Sequence, residues 1–132
     1  MRTYNHHPET GLLTPTAAAL NLAVRFFVEI GAYASLAYWG ASVGTTGLCR
    51  GTLAVLAPLS AIGIWSLYLA PRARRGLPDP AALFAELAIF GASSVALAST
   101  GQVALAAVLG STATVNTLLV RVLGQRRRAA TV

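Results

Sequence analysis

The sequence predicts an all-α fold: an integral membrane four-helix bundle with both termini in the cytoplasm. Three observations carry this reading. The chain of 132 residues is 55% hydrophobic and 11% charged, with a mean hydropathy of +0.63, a composition typical of membrane proteins. No charged residue interrupts Ile30 to Cys49, Gly51 to Pro71 or Leu87 to Val120, and the last run holds most of two spans with a turn between them. The arginines cluster at places that alternate with these runs.

A span needs about 20 apolar residues to cover roughly 30 Å of hydrocarbon. That places helices at about 17–42, 51–70, 80–99 and 103–123, in a transmembrane domain of about 17–124. A polar tail, 1–16, precedes the domain and a basic tail, 125–132, follows it. The first helix is too long, and too far from the start, for a cleaved signal peptide.

In the N-terminal tail, His6, His7, Pro8 and Pro15 lie among small polar residues with no period, which predicts a segment that is mobile or lies at the membrane interface. Adjacent histidines rarely converge on one ion without further ligands, so no metal site and no cofactor is expected. Thr16 is the expected N-cap of the first helix, and Tyr38 and Trp39 suit the headgroup layer at its far end. The turn SVGTTGLCRG, with Cys49 as a small apolar residue, joins it to the second helix. There Pro58 removes the hydrogen bond to the Ala54 carbonyl and predicts a kink. Trp65 and Tyr68 approach the inner interface, and PRARRGLPDP closes the second helix at Pro71 and opens the third at Pro80, with Asp79 as an acidic cap. The third and fourth helices are dense in Ala, Gly, Ser and Thr, which predicts close helix packing in a compact bundle.

A net charge of +6 and a pI near 10.8 would point to nucleic acid in a soluble chain. The distribution assigns the charge to topology instead. Arg2, the Arg72, Arg74 and Arg75 group, Arg121 and the Arg126 to Arg128 run fall on one side of four spans, with Arg50 alone opposite. The positive-inside rule makes that side cytoplasmic. The partners expected are the lipid bilayer, a small amphipathic ligand and a second copy in a homodimer, with no nucleic acid. All ten basic residues are Arg and Ala is abundant, which points to a high-GC bacterial genome and the inner membrane.

Arg25, Glu29 and Glu86 fall inside the predicted spans. Each costs about 2.5 to 3.5 kcal/mol at the centre of a span on insertion scales, so such residues normally face the bundle interior and pair. Counted from the helix starts, Arg25 lies about 12 Å deep, Glu29 about 18 Å and Glu86 about 9 Å. Trp65 and Asn116, counted back from their helix ends, lie about 9 to 10 Å deep. Asn21, Arg25 and Glu29 share a helix face by their four-residue spacing. One polar layer of Asn21, Arg25, Glu29, Trp65, Glu86 and Asn116 is therefore expected. With one Arg facing two Glu, Arg25 is expected to pair with Glu86, and Glu29 to be the leftover carboxyl that carries a reversible proton. The plainer reading is that the network only fixes which helices pair and at what rotation.

The segments NLAVRFFVEIGAYASLAYWG, IWSLYLAPRARRGLPDP and FAELAIFGASSVALAS resemble the YrdB-like family of small bacterial membrane proteins. The matching positions are Arg25, Phe26 and Glu29, Ala70 and Pro71, Pro78, and Glu86 with Phe90. That family is a domain of unknown function, so the resemblance implies an architecture and no reaction.

Three functions are weighed, two resting on the polar layer and the third on the Ala and Gly faces of the helices. The first is binding or transport of a small amphipathic or hydrophobic molecule, coupled to protons. The layout is similar to the small multidrug resistance family, but Arg25 beside Glu29 disfavours a cationic substrate. The second is an intramembrane acid-base enzyme, an isomerase or cyclase with Glu29 or Glu86 as catalytic proton donor. The third is an accessory subunit of a membrane complex. No nucleophile constellation, metal-ligand spacing or phosphate loop supports other enzyme classes.

Overall fold

Inside hydrocarbon every backbone polar group must find a partner within the chain, which leaves an apolar chain of this size the helix. The computed structural model describes residues 15–70 and 73–130, and those residues form four helices and no strand. In chain order these are α1 (Pro15–Val43), α2 (Gly47–Ile64), α3 (Asp79–Ser99) and α4 (Val103–Ala130). A π turn, Trp65–Leu69, continues α2. Spans at Ala19–Val43, Gly47–Leu69, Asp79–Ser99 and Val103–Val122 are long and apolar enough to cross a membrane. The chain is a multi-pass membrane protein.

Local chemistry sets the helix ends. α1 begins at Pro15, so Thr16 lies in its first turn instead of capping it; proline suits the first helical position because its missing N–H would be unpaired there anyway. α2 begins four residues earlier than expected, because the Thr46 hydroxyl accepts from Cys49 N at 3.2 Å and its carbonyl accepts from Arg50 N at 2.9 Å. Cys49 and Arg50 thus belong to the helix. Arg50 Nε donates to the Gly44 carbonyl at 2.8 Å, which ties the turn closed.

Pro58 sits inside α2, which stays helical on both sides of it. At the π turn Ala70 N donates to Trp65 O at 2.9 Å, and the next segment folds back so that Arg75 N and Leu77 N donate to the carbonyls of Leu67 and Tyr68. Otherwise orphaned carbonyls are satisfied in this way. Pro78, not Asp79, occupies the N-cap of α3, with Asp79 in the first turn. Gly101, at φ 89°, takes the left-handed position after α3 that a side chain would disfavour. α4 runs to Ala130, past its expected end near 123, since Gln and Arg are good helix formers. The His6 and His7 pair and Pro71 and Arg72 lie outside the described residues.

α1 is the hub. It packs against α2, α3 and α4, and α3 packs against α4, whereas α2 leans on α1 and reaches α3 chiefly through the π turn. The four helices thus form a bundle whose buried core lies among α1, α3 and α4, with α2 packed along α1. The core holds Val28, Ala32, Phe90 and Ala113, flanked by Leu109. At Gly40, α1 meets α2 so closely that a Cβ would fall 2.5 Å from the Leu53 carbonyl oxygen. Large apolar side chains such as Phe27, Phe84, Val95 and Val108 point outward, the arrangement a lipid solvent favours.

Candidate functional site

The buried stripe of α3 is Glu86, Phe90, Ser93 and Leu97, a helical repeat that turns one carboxylate into the core. Glu86 is only 6% exposed, so its charge needs partners. It has them on two helices. From α1, Arg25 Nη2 forms an ion pair with Glu86 Oε1. From α4, the Thr117 hydroxyl donates to Oε1 at 3.2 Å and Arg121 Nη2 lies 3.5 Å from Oε2. Thr117 and Arg121 reach the same carboxylate because they are four residues apart on one helix face.

Arg25 also serves Glu29, its Nε donating to Oε1 at 3.0 Å within α1. Among the described residues no hydrogen bond reaches Glu29 Oε2. Arg121 anchors the start of α3 as well, with Nη1 donating to the Asp79 carbonyl at 2.9 Å. The expected count of one Arg against two Glu is therefore corrected: Arg25 and Arg121 face Glu29 and Glu86, two against two. Spacing alone placed Arg121 with the topology-setting arginines at the helix end. The signal that could have found it is its four-residue step from Thr117 on the face that also carries Ala113 and Asn116.

Next to this cluster Asn116 Nδ2 donates to Asn21 Oδ1 at 2.8 Å and to the Asn21 carbonyl at 3.3 Å, which joins α4 to α1. Asn116 is buried and Asn21 half-buried. Trp65 shares no hydrogen bond with these residues. Its indole Nε1 is buried without a hydrogen-bond partner, at the start of the π turn.

A seam runs along α1 and α4 away from the asparagine pair. Its first segment, about 350 Å³, is lined by Asn21, Val24, Ser111, Thr112 and Asn116 among others. The second, about 380 Å³, shares Val24 and Thr112 with the first and continues past Phe27, Gly31 and Val108. A third, about 390 Å³, shares Ser35, Leu97 and Leu105 with the second and ends near Tyr38 and Gln102. The three segments share lining residues and follow one another as a groove along the helices, open sideways, with Asn21, Thr112 and Asn116 at the end near the chain termini, Ser35, Tyr38 and Gln102 at the other, and an apolar middle.

Comparison with curated proteins and with solved structures gives no match. A family model does match, over residues 23–114, a stretch that contains Arg25, Glu29 and Glu86 and excludes Asn21, Asn116, Thr117 and Arg121. By that match, which covers more than half of its length, the chain belongs to the family described as "Protein of unknown function (DUF2568)".

Proposed function

We propose that the protein binds or transports a small amphipathic molecule in the bacterial cytoplasmic membrane, with both termini in the cytoplasm and a YrdB-like kinship within its family. The observation that carries the reading is the α1/α4 seam, which places a polar end formed by Asn21 and Asn116 at the head of an apolar groove open to the side. An amphiphile partitioned into a bilayer presents the same division of polar and apolar surface, and lateral access spares it from leaving the membrane.

Both oxygens of Glu86 are contacted by guanidinium groups, and Glu29 holds one bond to Arg25 beside them, so this network braces three helices next to the seam.

The test is mass spectrometry of small molecules that co-purify with the wild type and with Val108→Trp, a bulky side chain set into the seam at an exposed position. The wild type is expected to carry an amphiphile that the variant loses. Identical small-molecule profiles would overturn the reading.

A second reading, a subunit that docks through α2, draws on the one-sided packing of that helix. Leu48, Val55, Leu56 and Leu59 are all exposed there. A stoichiometric partner co-purifying with the wild type and lost on Leu56→Gln would support it.

A further inference from the structure

The hydroxyls on these helices mostly bond back to a carbonyl one turn earlier, as Ser35, Ser93, Ser111 and Thr114 do. Thr112 does not. Its hydroxyl has no hydrogen bond among the described residues, and it lines both the first and second segments of the seam. Four residues on, Asn116 spends its Nδ2 group on Asn21, which leaves Asn116 Oδ1 as an unused acceptor and Asn21 Nδ2 as an unused donor. All three residues line the first segment of the groove. One end of an apolar groove therefore offers a donor, an acceptor and a hydroxyl able to act as either.

No charged residue lines any of the three segments. Arg25 and Arg121 are committed to carboxylates on α1 and α3. An ionised head would enter the groove without a counter-charge, at a desolvation cost that uncharged hydrogen-bonding groups do not offset. An uncharged head that both donates and accepts meets no such penalty, and a hydroxyl is the smallest group of that kind. The groove also suits one chain in length. From Asn21 to Tyr38 α1 rises about 25 Å, most of the hydrocarbon thickness.

We infer that the occupant of the α1/α4 seam is an uncharged single-chain lipid with a hydroxyl head, a long-chain or isoprenoid alcohol, whose head is held by Asn21, Thr112 and Asn116. The inference rests on the amphiphile-binding function proposed above and narrows it to a head chemistry. The alcohol hydroxyl donates to Asn116 Oδ1 and accepts from Asn21 Nδ2, with Thr112 completing the set. The tail follows Val24, Phe27 and Val108.

Three tritiated probes with one shared chain test it: hexadecanol, palmitate and hexadecyltrimethylammonium, each titrated against the purified full chain in nanodiscs at neutral pH. Hexadecanol is expected to bind saturably at one per chain, at least tenfold more tightly than either charged probe. Asn116→Leu and Thr112→Val are expected to weaken it about tenfold each, the scale of a lost hydrogen bond or two in an apolar site. Val108→Trp, which leaves all three polar groups in place, should abolish binding, and it keeps the test sound where Asn116→Leu fails to fold. Tighter binding of palmitate, lost in Arg25→Gln, would overturn the hydroxyl head while leaving an amphiphile-binding protein. Saturable binding of none of the three would overturn both readings. So would a dimer that Val108→Trp converts to monomer, since the seam would then be filled by a second copy of the chain.

Discussion

Arg121 of α4 reaches Glu86 of α3 with Nη2 3.5 Å from Oε2, while its Nη1 donates to the carbonyl of Asp79 two turns earlier on α3. One side chain thus spans the cytoplasm-proximal third of a neighbouring helix in the proposed topology. Together with Arg25 on the opposite oxygen it makes Glu86 the point where α1, α3 and α4 are tied.

Removing that tie is expected to be costly and unequal. Glu86→Ala leaves two guanidinium groups facing each other across a buried site and should destabilise by about 3 to 5 kcal/mol. Arg121→Gln removes a partner that is partly exposed and should lose about 1 kcal/mol or less. Reversible unfolding in mixed micelles measures both. Equal losses would mean that Glu86 is not the centre of the network.

The asparagine pair predicts a modest coupling. Double-mutant cycles on interhelical hydrogen bonds in membranes average about 0.6 kcal/mol, with a maximum of about 1.7. Asn21→Leu combined with Asn116→Leu should return a coupling in that range. A value near zero would show that the 2.8 Å contact contributes nothing to helix association.

Two glycines predict opposite signs. A Cβ at Gly40 would overlap the backbone of Leu53, so Gly40→Val should separate α1 from α2 and cost about 1 to 3 kcal/mol or more. Gly91 lies within α3 and a Cβ there meets nothing within 4 Å. Gly91→Ala should be neutral or stabilise by up to about 1 kcal/mol through helix propensity. Thermal unfolding of the two variants side by side checks the contrast.

Topology predicts a labelling pattern. Cys49 lies in the first turn of α2, at the end of the bundle opposite the termini, and is the single cysteine of the chain. With both termini cytoplasmic, a membrane-impermeant maleimide should label Cys49 in intact spheroplasts. A Gln125→Cys variant carrying Cys49→Ser should react only after permeabilisation. The reverse pattern would invert the orientation.

The spans were legible in the sequence because charge-free runs of about 20 residues have few places to go except hydrocarbon. The common depth of Arg25 and Glu86 was legible too, since a fixed rise per residue and alternating helix direction set height in the membrane. Helix starts were less so: at Thr46 a single side-chain hydrogen bond moved the start of α2 by four residues.

What the sequence by itself determined is therefore the number of helices, their approximate bounds and which ionisable residues fall inside the apolar spans. Only the tertiary structure decided rotation and neighbourhood: that α2 packs mainly on α1, that Arg121 turns inward to balance Glu86, that the Trp65 indole shares no hydrogen bond with the cluster, and that Asn21, Thr112 and Asn116 open onto one seam. The reason is physical. In lipid, apolar side chains gain little by facing protein instead of acyl chains, so a helix apolar around its whole circumference carries no hydropathy signal for its rotation. The few polar contacts fix it, and those exist only once the helices meet.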